Sequence, residues 1–173
     1  MTSPNQPAWL RGPMEGVPSL LQPVAHALVD ADEDVQKFVP SLSPAVIAAR
    51  PGGAASVAYH VKHAMGSLDR LFTYARGEAL SETQMRALAA EKALDIGSLS
   101  ARQLAEEFAA AVHRAHIQLR ATSEAELLET RLVGRAKLPS TTLGLLVHAA
   151  EHTARHVGQI VTTVKIVSAQ LSS

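Results

Sequence analysis

His148-Ala149-Ala150-Glu151-His152-Thr153-Ala154-Arg155-His156-Val157-Gly158-Gln159-Ile160 lies inside a long apolar segment near the C-terminus, and its reading decides the fold. Four residues of an α-helix advance about 400°, so His148, His152 and His156 form a row along one side, each about 40° from the last. Imidazoles on neighbouring turns can share one metal ion at about 2.0–2.1 Å per nitrogen. A further ligand must then come from elsewhere. The donors to consider are His60 and His63, in residues 56–76, the other apolar segment with two histidines on adjacent turns. The competing reading is that these are surface histidines or core histidines satisfied by hydrogen bonds. Two such pairs on two apolar helices favour a metal site over it.

The 173 residues suit one domain with a real core. Hydrophobic residues make up 47% but aromatics only 3%, and alanine and leucine dominate, which favours closely packed helices. Sixteen basic and sixteen acidic residues cancel without a long run of either sign, so neither nucleic acid nor an anionic membrane is an expected partner, and a small molecule is. There is no cysteine, so any metal must use nitrogen and oxygen ligands. No apolar run reaches membrane-spanning length, and residues 1–16 lack a signal-peptide pattern, so the expectation is a soluble, cytoplasmic protein.

In chain order, residues 1–17 read as an irregular arm rich in proline, with Trp9 as its anchor on the core edge or a dimer surface. Residues 18–38 form a helix with Leu20, Val24, Leu28, Ala31, Val35 and Phe38 as its apolar stripe, His26 facing solvent, and Asp30, Asp32, Glu33 and Asp34 as a solvated face. Pro44, Pro51, Gly52 and Gly53 mark a connection with a short helical turn at residues 45–49. Ser56 caps the next helix, which Gly77 stops, and on it Tyr59, His63, Ser67 and Arg70 share one side, with His60 at its border. Residues 81–94 read as a short helix or link with Leu80, Met85, Leu88 and Leu94 turned inward, ending before Gly97. A helix from Ser100, with a capping box to Gln103, buries Leu104, Phe108, Val112, Ala115 and Leu119, leaving His113 and His116 on outer or lateral faces. Ser123 and Glu126 suggest a second capping box, residues 132–138 are extended or irregular, and the longest helix covers residues 141–170. The economical architecture is four helices in one bundle.

Three histidines on facing helices leave coordination positions open, which suits water activation or binding of an anionic group. If His60 or His148 joins as a fourth ligand, the site closes and becomes structural. The metalloprotease pattern is absent, because Thr153 rather than glutamate follows His152.

Ser56 to Ala64 with Gly66-Ser67-Leu68-Asp69-Arg70-Leu71, and above all His152 to Ile160, are similar to the corresponding parts of the DinB/YfiT-like superfamily, over about residues 9–167. The resemblance implies an all-α, four-helix bundle with short extra helices in its connections. It implies His63, His152 and His156 as ligands of a divalent metal ion such as Zn, Ni or Fe, with His60 outside the ligand set, and a homodimer. Relatives include transferases and isomerases that use a low-molecular-weight thiol, amide hydrolases, and members without known activity. For a transferase, the ion would bind the thiol and lower its pKa for attack on an electrophile, with Tyr59, Ser67 and Arg70 as pocket residues. The alternative is a non-catalytic, stress-related dimeric bundle whose metal site is structural or empty.

Overall fold

A computed structural model describes residues 6–91 and 99–171. Four long helices carry the core: α1 (Gln22–Phe38), α3 (Val57–Ala75), α5 (Ala101–Ala121) and α6 (Thr142–Leu171). Two short ones, α2 (Pro44–Ala48) and α4 (Glu82–Ala90), lie in the connections. Around the bundle, α1 packs on α6, α6 on α3, α3 on α5, and α5 on α1. Ala58, Ala64, Ala149 and Ala150 are buried on α3 and α6, and small side chains let these two backbones run close together. Leu28, Val61, Phe108, Leu146 and Ile160 fill the interior.

The helix ends follow local chemistry. Ser56 Oγ accepts the backbone N–H of Tyr59 at 3.2 Å, which caps α3, and Gly77 after its end takes a positive φ of 78° that an L side chain resists. Ser100 caps α5 through Gln103 N–H, but the Gln103 side chain turns to Glu107, so that capping box is half made. The complete box is at Ser81 and Gln84, at the start of α4. Ser123 Oγ caps only a 3₁₀ turn, through Ala125 N–H.

Several sequence expectations are corrected. Leu20 is exposed; a 3₁₀ turn over Ser19–Leu21 precedes α1 and buries Leu21 instead. The arm is anchored by its backbone, not by Trp9, which is 63% exposed. Ala8 is buried and its N–H donates to Asp30 Oδ1 at 2.8 Å, while the Arg11 guanidinium makes a bidentate pair with Glu33. Part of the acidic face of α1 therefore holds the arm. His26 is buried, with Nε2 3.0 Å from the carbonyl of Gly12, and His116 is buried with Nε2 3.1 Å from the carbonyl of Ala25. Met85 and Leu88 face outward, and α4 has no buried residue. Leu94 and Gly97 lie outside the described residues.

Between α5 and α6 the chain forms an antiparallel hairpin, β1 (Thr130–Val133) and β2 (Leu138–Thr141), with Thr130 opposite Thr141 and Val133 opposite Leu138. Gly134 and Lys137 both take positive φ in its turn. Among the described residues no helix is long and apolar enough to cross a membrane.

Candidate metal centre

The row predicted on α6 forms, but only its inner part turns into the bundle. Val157 and Ile160 are buried toward the core, and this rotation brings His152 and His156 to half-buried positions facing α3. His63 comes from α3 to meet them. One ring nitrogen from each of His63, His152 and His156 falls within 4.8 Å of the others. His63 Nε2 and His152 Nε2 are 3.0 Å apart, inside the span of about 4 Å that two nitrogens bound to one ion can reach. His148, one turn earlier, is exposed and pairs with Glu151 through Nδ1 at 3.2 Å, so it stands outside the cluster.

Behind His63 stands a carboxylate that spacing arguments missed. Glu91, just past the end of α4, places Oε2 2.7 Å from His63 Nδ1, while its Oε1 accepts from Arg70 Nη1 at 2.7 Å. A carboxylate oxygen accepts, so this contact calls for an N–H on His63 Nδ1 and leaves Nε2 as the atom facing His152. That is the arrangement a metal-binding histidine takes, with the second nitrogen tied to a carboxylate. Arg70 is thereby committed to a buried ion pair and is not free to line a substrate pocket. No sequence spacing links Glu91 to His63, 28 residues away; the accessible signal was Gly66, a glycine within a helix, which marks a close approach.

His60 is buried and its Nδ1 lies 2.9 Å from His156 Nδ1. This contact leaves Nε2 of His156 as the nitrogen that can point to the trio. Tyr59 stacks on His63, with ring centres 5.5 Å apart and planes 5° from parallel. Ser67 is half-buried on α3, and among the described residues it makes no hydrogen bond to the cluster.

Burial pushes the pKa of His60 below the usual imidazole value, and the neighbouring charge of His63 adds to this. His152 moves down for the same reason, with His63 and His148 contributing. His156 is pushed down to about 4, by burial first and then by His152, His63 and His60. At neutral pH these three rings are therefore neutral, the form that binds a cation. The donor set of three imidazoles, one of them tied to a carboxylate, fits a divalent metal ion.

An open groove of about 1000 Å³ adjoins the cluster and is lined by Pro51, Gly52, His60, Arg155, Gly158 and Gln159, among others. His60 borders both. A smaller cleft of about 220 Å³ between α3 and α5, around Leu68, Phe72 and Arg114, has no part of the histidine cluster in its lining.

A family model described as the DinB superfamily matches residues 27–160, which include α3, the hairpin and the histidine row. The chain belongs to the DinB superfamily. As a DinB-like protein it shares its fold with a solved structure described as the conserved protein of locus from Enterococcus faecalis. The two are 21% identical, with a TM-score of 0.66 over 86% of this chain and 97% of that one. No curated protein matches the chain. DinB-like proteins bind metal, and the His63, His152 and His156 trio could hold an ion in this member.

Proposed function

We propose that this DinB-like protein is a divalent-metal-dependent enzyme that holds Zn, Ni or Fe on His63, His152 and His156. Its proposed reaction is transfer of a low-molecular-weight thiol to an electrophilic small molecule, or hydrolysis. The observation that carries the reading is the convergence of three histidine nitrogens beside an open groove. A bound ion supplies the positive charge that lowers the pKa of a coordinated thiol or water. The chain's own groups do the rest. Neutral His152 and His156 present lone pairs at pH 7, and Glu91 keeps the His63 proton on Nδ1. His60, buried at the groove wall, accepts the His156 Nδ1–H at its own Nδ1, so its neutral ring offers an Nε2–H donor to a group seated there.

The second reading, a non-catalytic dimeric bundle with a structural metal, is favoured by the closeness of His60 to His156, since a fourth imidazole would close the shell. In both readings we propose a homodimer, and in the catalytic one a small-molecule substrate rather than nucleic acid or membrane.

The deciding experiment is elemental analysis of untagged protein beside a His152→Ala/His156→Ala variant, followed by titration of the cobalt-loaded protein with small thiols. Near-stoichiometric metal that disappears in the variant, with a thiolate-to-cobalt charge-transfer band on adding thiol, supports the open catalytic site. Metal without any spectral response to thiol or other ligands supports the closed structural site. Wild-type protein that takes up no zinc, nickel or iron refutes the catalytic site and the structural one, and leaves the non-catalytic bundle with an empty site.

A further inference from the structure

Gly66 lies on α3 between His63 and Arg70, one turn from each. A Cβ built there would stand 2.6 Å from Glu91 Oε1 and 2.7 Å from Arg70 Nη1, closer than real side chains approach. The missing side chain is therefore the space in which the Glu91 carboxylate crosses α3 to reach His63 Nδ1 and Arg70 at 2.7 Å each. Glycine inside a helix is less stable than alanine, so a position that carries one on a packed helix calls for a compensating contact. Here that contact is an ion pair whose two side chains are each only 11% exposed. Arg70 places its guanidinium against the Glu91 carboxylate at 2.7 Å. Tyr59 stacks on the His63 ring with planes 5° from parallel, whereas Glu91 meets its Nδ1.

We infer that Glu91 is a positioning residue that fixes the tautomer and ring orientation of His63, and that Gly66 is the notch admitting it. The consequence for metal affinity rests on the proposed metal site; the tautomer does not. Through Glu91 the last turn of α4 becomes part of the centre, although α4 contributes nothing to the core. The ligands come from α3 and α6, and the end of α4 supplies the carboxylate behind one of them.

The test uses the full chain, with zinc alone as the probe, in the wild type and in Glu91→Ala, Glu91→Gln, Gly66→Ala and Gly66→Ala/Glu91→Ala variants. Zinc affinity is read by chelator competition. The His63 tautomer is read in metal-free protein from imidazole nitrogen chemical shifts, with His63→Gln to assign the signal. The expected result is a loss of about 10–100-fold in affinity for Glu91→Ala and for Gly66→Ala, the range typical of such supporting contacts. Glu91→Gln, which keeps an acceptor oxygen, should recover much of it. The double variant should be no weaker than Glu91→Ala, since both changes remove the same contact. The His63 signal should report an Nδ1 proton in the wild type and lose that fixed tautomer in Glu91→Ala. Wild-type affinity and an unchanged tautomer in Glu91→Ala would overturn the inference. If Glu91→Ala or Gly66→Ala fails to fold, Glu91→Asp, whose carboxylate is one methylene short of His63, carries the comparison, and wild-type affinity with an unchanged His63 tautomer would count against the inference. Wild-type protein that binds no zinc would count against a zinc site, while the tautomer measurement would still decide the role of Glu91.

Discussion

At the scale of single residues, the described histidines divide by what their ring nitrogens meet. His26 and His116 each meet a backbone carbonyl, and His60, His63, His152 and His156 meet one another. A backbone carbonyl is a pure acceptor and fixes an N–H on the ring, whereas facing imidazoles present lone pairs that only a proton or a cation can satisfy. This difference invites a pH experiment on His116, far from the cluster. Burial is the leading cause lowering its pKa, partly offset by the Ala25 carbonyl, with Arg120 also lowering it. The folded value therefore lies below the unfolded one, so the unfolded chain binds more protons between the two. Stability contributed by neutral His116 is present above the unfolded value of about 6.5 and is lost as pH falls through the folded value. In metal-free protein, His116→Gln, which can still donate to Ala25, should flatten the decline in urea midpoint between pH 7 and pH 5; an unchanged slope would contradict this account. Among the α6 histidines, His148→Ala should leave zinc affinity within about two-fold of wild type, because its ring is exposed and tied to Glu151. A larger loss would place His148 in the coordination shell.

At the scale of elements, periodicity made the four long helices legible, because each buries one continuous stripe on a 3.6-residue repeat. The caps at Ser56 and Ser100 and the stop at Gly77 were equally readable, since each depends on one side chain or one missing one. The relation of His63 to His152 and His156 could be reached by spacing plus resemblance. What was not readable depends on contacts between distant segments. Burial of His26 and His116 requires knowing that the arm and α1 supply carbonyls. Glu91 sits at the end of a helix without a buried stripe, where periodicity carries no signal. The hairpin was left open because its Leu132 and Leu138 are exposed, so neither reads as core. Besides Glu91, α4 is held to α3 by Gln84, whose Nε2 donates to Asp69 Oδ2 at 2.7 Å and to Thr73 Oγ1 at 2.8 Å. An element fastened by polar contacts opens at lower free energy than core helices. Adding zinc should therefore raise hydrogen-exchange protection of α4 amides more than those of α5, and Glu91→Ala should abolish the difference. Equal changes in both helices would mean that α4 is not coupled to the centre.

At the scale of the whole molecule, an ion held between α3 and α6 joins two helices that pack directly on each other. A ligand that binds only the folded chain, at 100 times its dissociation constant, stabilises it by about 2.7 kcal/mol, which for a chain of this size corresponds to about 5–10 °C in Tm. Calorimetry with and without zinc should show that rise in the wild type and none in His152→Ala/His156→Ala. A rise of equal size in the variant would locate the binding elsewhere.

The exposed side chains of α4 bear on how freely that helix can change. Met85 and Leu88 edge an open cleft away from the histidines and Arg86 bonds to Glu82 and Thr83 of its own helix, so a saturation library sorted for zinc retention should accept most helix-forming residues there. Gln84, Glu91 and, opposite on α3, Gly66 should admit fewer replacements. The helix would then wander in sequence while remaining pinned in space, held at two side chains and one vacancy.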